Sequence, residues 1–455
     1  LAIPRRMGGM LFASLCARTQ MGQSPRPAAG RRRGRPSAGA GLRSFGSASP
    51  PLIRSRSRCA WALLALLAPI GRAHAQAPEA SREARLTFNG EAFASVASDD
   101  PGFFNYANYE RSTLSIARLN LDVSLRLGPR AAFLAEARGD NGDGISISAL
   151  YLRVRVLEKT PLDLQVGRIP PVFGAFGRRT YGADNPLIGV PLGYQYLTII
   201  RPDALPASAD DLLLARGGGW LVSYPLGSQA DSHGLPLVAG DRWDTGIQMH
   251  LGGPKASLAL ALTQGTLSNP LVRDDNGGKQ LVGRAETRPS AAWIVGFSAA
   301  RGEFLSRSAK AALPPGTRGG PFTQSALGID AEYSRGYWVL RAEGIMSEWR
   351  LPMIAAPFVA GPLRAYAGCL EGRYKIRPGL YAAARVDRLG FSSITGTLFG
   401  GQPTSWDAPV TRVEVGGGYF LRRDILLKAV YQHNWRDTTF SPSLGIVSAQ
   451  ALWWF

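Results

Sequence analysis

Cysteine is scarce in this chain: three in 455 residues. After Ala75 only Cys369 remains, so an exported form has no intrachain disulfide and no cysteine-based metal site. Histidine is almost as rare, with His233, His250 and His433 the ones beyond Ala75, and lysines are few throughout. Acidic residues are missing from residues 1–76, which hold thirteen of the 52 basic residues, all of them arginine. The formal charge of +19 therefore sits mostly at the front. The remainder is close to balanced, which excludes an evenly basic nucleic-acid binder. A membrane-spanning helix is excluded for the apolar run Ala60–Ile70, whose 11 residues fall short of the roughly 20 a bilayer requires. No sustained apolar stripe at period 3.6 occurs in the rest of the chain.

What is present at the front reads as an address. Arg54, Arg56 and Arg58 precede the apolar run, and "AHA" (Ala73 to Ala75) follows it. A basic stretch, an apolar stretch and a small-residue site predict a signal peptide over 53–75 with cleavage near Ala75; a buried terminal helix is the alternative. Cys59 precedes the apolar run, which is the wrong side for a lipid anchor. Residues 1–52 are rich in Arg, Gly, Ser and Pro and cannot build a core. A signal peptide should begin a chain, and this one begins with Leu1. The expectation is a disordered extension or a reading frame taken too far upstream, with a nucleic-acid-binding tail as the other reading. Residues 76–455 are expected to form one domain.

That domain has period 2. In "LNLDVSLRL" (119–127) Leu119, Leu121, Val123, Leu125 and Leu127 alternate with Asn120, Asp122, Ser124 and Arg126. The pattern returns at 150–156, 243–251, 379–389 and 411–421, with Tyr151, Arg153, Arg155, Gln248, Arg385, Asp387, Arg412 and Glu414 on polar faces. One face of each strand is apolar and the other polar. Very short connectors such as "GPR" (128–130) and "RPG" (377–379) alternate with long ones such as 266–279 and 391–408. Trp243, Tyr333, Trp338, Tyr374, Tyr419, Tyr431 and Trp435 stand toward strand ends. Strands of about 9–13 residues, alternating turn lengths and aromatic girdles predict a transmembrane antiparallel β-barrel in the bacterial outer membrane. A soluble sandwich, the competing all-β reading, has shorter strands. The expected count is eighteen, with sixteen the alternative. It includes a strand at 216–225 and another near 192–200 or 209–216.

The segment 170–215 breaks the pattern. Pro170 and Pro171 cannot donate to a central ladder. Gly167, Arg168, Pro170, Pro171, Phe173 and Gly174 form a stretch that resembles the point where outer-membrane porins of the phosphate-selective (O/P) type turn from a wall strand into an infolded loop. The resemblance implies a homotrimeric, solute-conducting porin with that loop constricting the pore. The expected selectivity is a mild anion preference, with phosphate as a candidate solute. The basic residues nearest the expected constriction are Arg153, Arg155, Arg168, Arg178, Arg179 and Arg201. Rings of arginine favour anions, although Arg168 has the outward parity of its strand. Glu91, Asp122, Glu136, Asp330, Glu332, Glu343, Glu371 and Glu414 share the inward parity and offset this charge.

No enzyme is expected. His433 has outward parity between Tyr431 and Trp435, and no serine stands beside it at strand spacing. No cofactor or metal motif emerges: "GDNGDG" (139–144) lacks the spacing of a calcium loop and reads as a hairpin turn, and Gly217 to Gly219 precede no helix. A non-conducting adhesin or scaffold barrel is the other non-enzymatic reading. The chain closes on "SAQALWWF", with Trp453 and Phe455 on one strand face. This ending resembles the aromatic signal that outer-membrane barrels present to their assembly machinery. The expected partners are thus outer-membrane lipid, that machinery, small hydrophilic solutes and further copies of the chain, and no nucleic acid.

Overall fold

The alternating stretches become strands, and among the described residues sixteen of them close into one antiparallel barrel. The computed structural model describes residues 85–108, 111–157, 160–179, 181–317, 320–438 and 441–455. The extension 1–52, the signal peptide 53–75 and its cleavage site lie outside the described residues. The wall is built from β1 (Arg85–Ala97), β2 (Ala117–Arg126), β3 (Ala131–Asp140), β4 (Ile145–Arg155), β5 (Leu162–Ile169), β6 (Asp244–Gly252), β7 (Ala256–Thr263) and β8 (Gln280–Ser290). It continues through β9 (Trp293–Glu303), β10 (Thr323–Arg335), β11 (Trp338–Trp349), β12 (Leu363–Arg377), β13 (Leu380–Phe391), β14 (Val410–Phe420), β15 (Ile425–Arg436) and β16 (Ser443–Trp454). Ala92 of β1 lies opposite Leu119 on one side and Trp453 on the other, which closes the sheet and leaves no edge.

Side-chain parity fixes the two faces. Phe88, Leu119, Ile247, Leu340 and Val415 are exposed on the outside, while Glu91, Asn120, Gln248, Arg412 and Glu414 are buried on the inside. An apolar outer face suits hydrocarbon, and a polar inner face suits a wet or hydrogen-bonded lumen. Glycine permits the tight turns: Gly128, Gly336 and Gly379 all have positive φ in short connectors. "GDNGDG" is the β3–β4 hairpin, with Asn141 and Gly142 both in the left-handed region.

The eighteen-strand expectation is corrected to sixteen. β5 pairs directly with β6, Ile169 opposite Asp244, so nothing between them enters the wall. Leu192–Gln195 and Ala209–Ala215 are short helices, the second closed by a capping box in which Ser208 and Asp211 exchange backbone bonds. Residues 216–225 contribute only an isolated bridge, Val222 to Ser232. Apolar content misled the strand reading. Leu192, Leu212, Leu213, Val222 and Tyr224 do not alternate between lipid and lumen; all are buried in one cluster that also holds Phe173, Phe176 and Trp406.

Candidate functional site: the barrel interior

Residues 174–190, between β5 and β6, make many of their polar contacts with inward-facing side chains around the barrel. From β1, Glu91 accepts from the backbone N–H of Gly182 (2.9 Å) and Ala183 (3.0 Å). From β11, Glu343 accepts from Ala175 N–H (2.8 Å) and from the Tyr194 hydroxyl (2.5 Å). From β14, Glu414 accepts from Gly189 N–H (2.8 Å). Basic groups take the opposite half of the same backbone. Lys428 on β15 donates to the carbonyls of Gly182 (2.5 Å), Asn185 (2.6 Å) and Leu187 (3.1 Å). Arg385 on β13 donates to Gly189 O (2.7 Å), and Arg412 on β14 to Val190 O (3.0 Å) and also to Phe104 O (2.8 Å) in the β1–β2 connector. Backbone without its own ladder needs partners, and here wall side chains supply them at both polarities.

The charged wall groups also neutralise one another. Arg385 bonds Glu414 (2.6 Å), Asp387 (3.2 Å) and Glu371 (3.3 Å), and Glu371 further receives Arg341 (3.0 Å) and Arg179 (3.1 Å). Arg385, Arg412 and Lys428 are central to this network, and none stood among the predicted pore residues. Their signal was legible as inward parity, but they lie far in sequence from the segment they hold.

The predicted residues scatter. Arg153 and Arg155 come together on Asp163, Arg155 Nε at 3.1 Å, at the short-turn end of β4 and β5. Arg168 keeps its outward parity and donates to the carbonyls of Trp243 (3.0 Å) and Ile147. Arg179 bonds Glu371 as above and lies 5.3 Å from the Phe176 ring centroid. The side chain of Arg178 lies outside the described residues. Arg201 is buried, paired with Asp203 (2.9 and 3.0 Å) and the carbonyls of Val222 (2.6 Å) and Ala230 (2.8 Å). At the terminus, Phe455 exchanges two backbone hydrogen bonds with Gly90 (3.0 and 3.2 Å), and the Trp453 ring packs 5.0 Å from that of Phe455.

On the outer face, register does what sequence spacing did not. Ser443 starts the neighbouring strand and places its Oγ 2.9 Å from His433 Nε2, while Tyr431 Oη lies 3.1 Å from Nδ1. The absence of a serine beside His433 is thus corrected, because the partner comes from across the β15–β16 ladder. Trp435 packs against the imidazole at 4.3 Å.

Two cavities flank residues 181–184. One, toward the long connectors, has a volume of ≈ 100 Å³ and is lined by Phe93, Arg118, Gln195, Arg242 and Gln450 among others. The second, toward the short turns, has a volume of ≈ 830 Å³ and is lined by Glu91, Asp122, Glu136, Tyr181, Arg423 and Trp454.

The connector between β13 and β14 is tied to the same interior segment by Asp407, which is fully buried. Its carboxylate accepts from Ile199 N–H (3.1 Å), Gly217 N–H (2.9 Å) and Ala408 N–H (2.7 Å). Burial pushes its pKa up to about 6, against the lowering effect of those three bonds. The folded state therefore holds its proton to higher pH than the unfolded chain, which releases it near 4. Stability from this group is full below pH ~4 and falls by about 3 kcal/mol as pH rises through 6. Thermal melts between pH 4 and 7 should show that fall, and Asp407→Asn should flatten it. An unchanged slope in the variant would assign the effect elsewhere.

No protein-family model and no curated protein matches the sequence. Solved structures do match. A loop L8 deletion mutant of OmpT, an outer membrane protein of Vibrio cholerae, shares 13% identity over 82% of this chain and 99% of that one, with a TM-score of 0.50. The anion-selective porin from Comamonas acidovorans shares 11% identity over 82% and 100% of the two chains, also at 0.50. At such identities the likeness shows the fold alone: a porin-like barrel.

Proposed function

We propose that this chain is an outer-membrane porin that lets small hydrophilic solutes diffuse passively through a water-filled lumen. The observation that carries this is the closed sixteen-stranded wall with an apolar outside and a charged inside, and two cavities on either side of one interior segment. Barrels of this strand number are wide enough for an aqueous channel. On this reading residues 170–243 are the infolded constriction loop, held in place by Glu91, Glu343, Arg385, Arg412, Glu414 and Lys428. A homotrimer, cleavage near Ala75 and recognition of Phe455 and Trp453 by the assembly machinery belong to the same proposal.

Selectivity is a mild preference for anions. Arg242 lines the first cavity, is exposed, and has no ion-pair partner among the described residues. Two of the acidic residues lining the second cavity are engaged: Glu91 by two backbone N–H groups, and Glu136 by Ser148, Arg138 and Tyr181. Reversal potentials in planar bilayers under a KCl gradient should indicate chloride passing more readily than potassium, and Arg242→Glu should move the potential toward potassium. A cation-selective parent channel would overturn the anion reading.

Hydrolysis has one observation in its favour, the Ser443–His433 hydrogen bond. Among the described residues no carboxylate orients the imidazole, and Tyr431 and Trp435 flank it as an interfacial aromatic belt would. Phospholipid hydrolysis by the purified barrel should equal that of His433→Ala at background level. Turnover lost on that substitution would reverse the assignment.

A further inference from the structure

The first cavity carries polar groups that nothing in the protein satisfies. Gln195 is 5% exposed and neither its amide nitrogen nor its oxygen has a hydrogen-bond partner. Gln450 is 7% exposed and its amide oxygen is likewise unpartnered. Both line the cavity. Buried polar groups are nearly always hydrogen-bonded, and leaving one unpaired costs more than a formed bond returns. Two such glutamines facing one space point to a guest in that space.

The rest of the lining describes the guest. Phe93, Ile116, Phe176, Leu187 and Leu197 give it apolar walls, which penalise a small, fully hydrated anion and favour an apolar body. The charge available is single. Arg118 is neutralised by Asp140 at 2.6 Å, and Arg111 lies near Asp140 (3.4 Å) and Asp143 (3.5 Å). Arg242 remains as the guanidinium without an ion-pair partner within 4 Å among the described residues, although the Asp241 carboxylate shares the lining and, against desolvation, is held ionised by the nearby Arg242 charge. One free cation, a free amide donor and an apolar wall suit one carboxylate on an apolar frame; a phosphate dianion would want more cations and less hydrocarbon.

We infer that this cavity is a binding station for small monocarboxylates with an apolar body, a reading that rests on the channel proposed above and names its preferred solute class. Benzoate is the simplest probe and inorganic phosphate its control.

The test is calorimetric titration of the purified full chain in detergent, alongside conductance in KCl. Benzoate should bind saturably and phosphate should give no comparable heat. Gln195→Leu and Arg242→Ala should each weaken benzoate about fivefold or more. Gln195→Leu should melt no lower than the parent, because it removes an unsatisfied group. Arg242→Ala changes an exposed residue and serves if the first variant does not fold. Equal binding of benzoate and phosphate, no benzoate binding, or binding indifferent to both substitutions would overturn the station. Benzoate binding in a protein that passes no ions supports the site and sinks the channel; ion passage without benzoate binding does the reverse.

Discussion

Replacing Arg385 with methionine should destabilise the barrel by about 3–5 kcal/mol, read as guanidinium unfolding in detergent. Arg385 is fully buried and is the shared partner of Glu371, Asp387 and Glu414, so its loss strands carboxylates that are themselves buried. Removing one partner of a buried ion pair is far costlier than never having had the pair. The second expected effect is on conduction. Arg385 also holds the Gly189 carbonyl at 2.7 Å, so the interior segment loses one of its wall anchors and open-channel current should rise. Adding Glu414→Gln should restore part of the stability, because the two residues are in contact and their effects are coupled. Strictly additive losses would show that the pair acts independently, against the network described.

Deleting Phe455 should lower the amount of assembled barrel in outer-membrane fractions severalfold and leave the single-channel conductance of the assembled fraction unchanged. Its backbone supplies the two hydrogen bonds with Gly90 beyond the β1–β16 ladder, and its ring covers Gly90 so closely that a β-carbon there would fall 2.4 Å from Cζ. Two backbone bonds and part of an aromatic surface amount to about 2 kcal/mol, too little to abolish a barrel. A yield loss in cells larger than that stability change accounts for, with refolding in detergent preserved, is the outcome expected of an assembly signal. Phe455→Tyr should keep most of the yield. Equal deficits in cells and in detergent would reduce Phe455 to a structural closure residue.

The sequence alone determined the two faces of the wall strands. A period-2 pattern records which side chains face lipid and which face the lumen, because successive residues of a strand point to opposite faces. That is why alternation alone assigns Leu119 and Asn120, or Val413 and Arg412, to opposite faces. Turn residues marked the ends for a similarly local reason: Gly128, Gly336 and Gly379 accept a conformation that other residues resist. Tertiary structure decided the interior. The strand count fell to sixteen because the apolar residues of 192–225 bury against one another rather than against lipid, and composition does not distinguish the two. Register brought Ser443 to His433, and closure brought Glu91, Arg385, Arg412 and Lys428 to backbone groups of residues 182–190. Sequence patterns report neighbours two to four residues apart, whereas these contacts join residues such as Gly189 and Glu414, 225 positions apart.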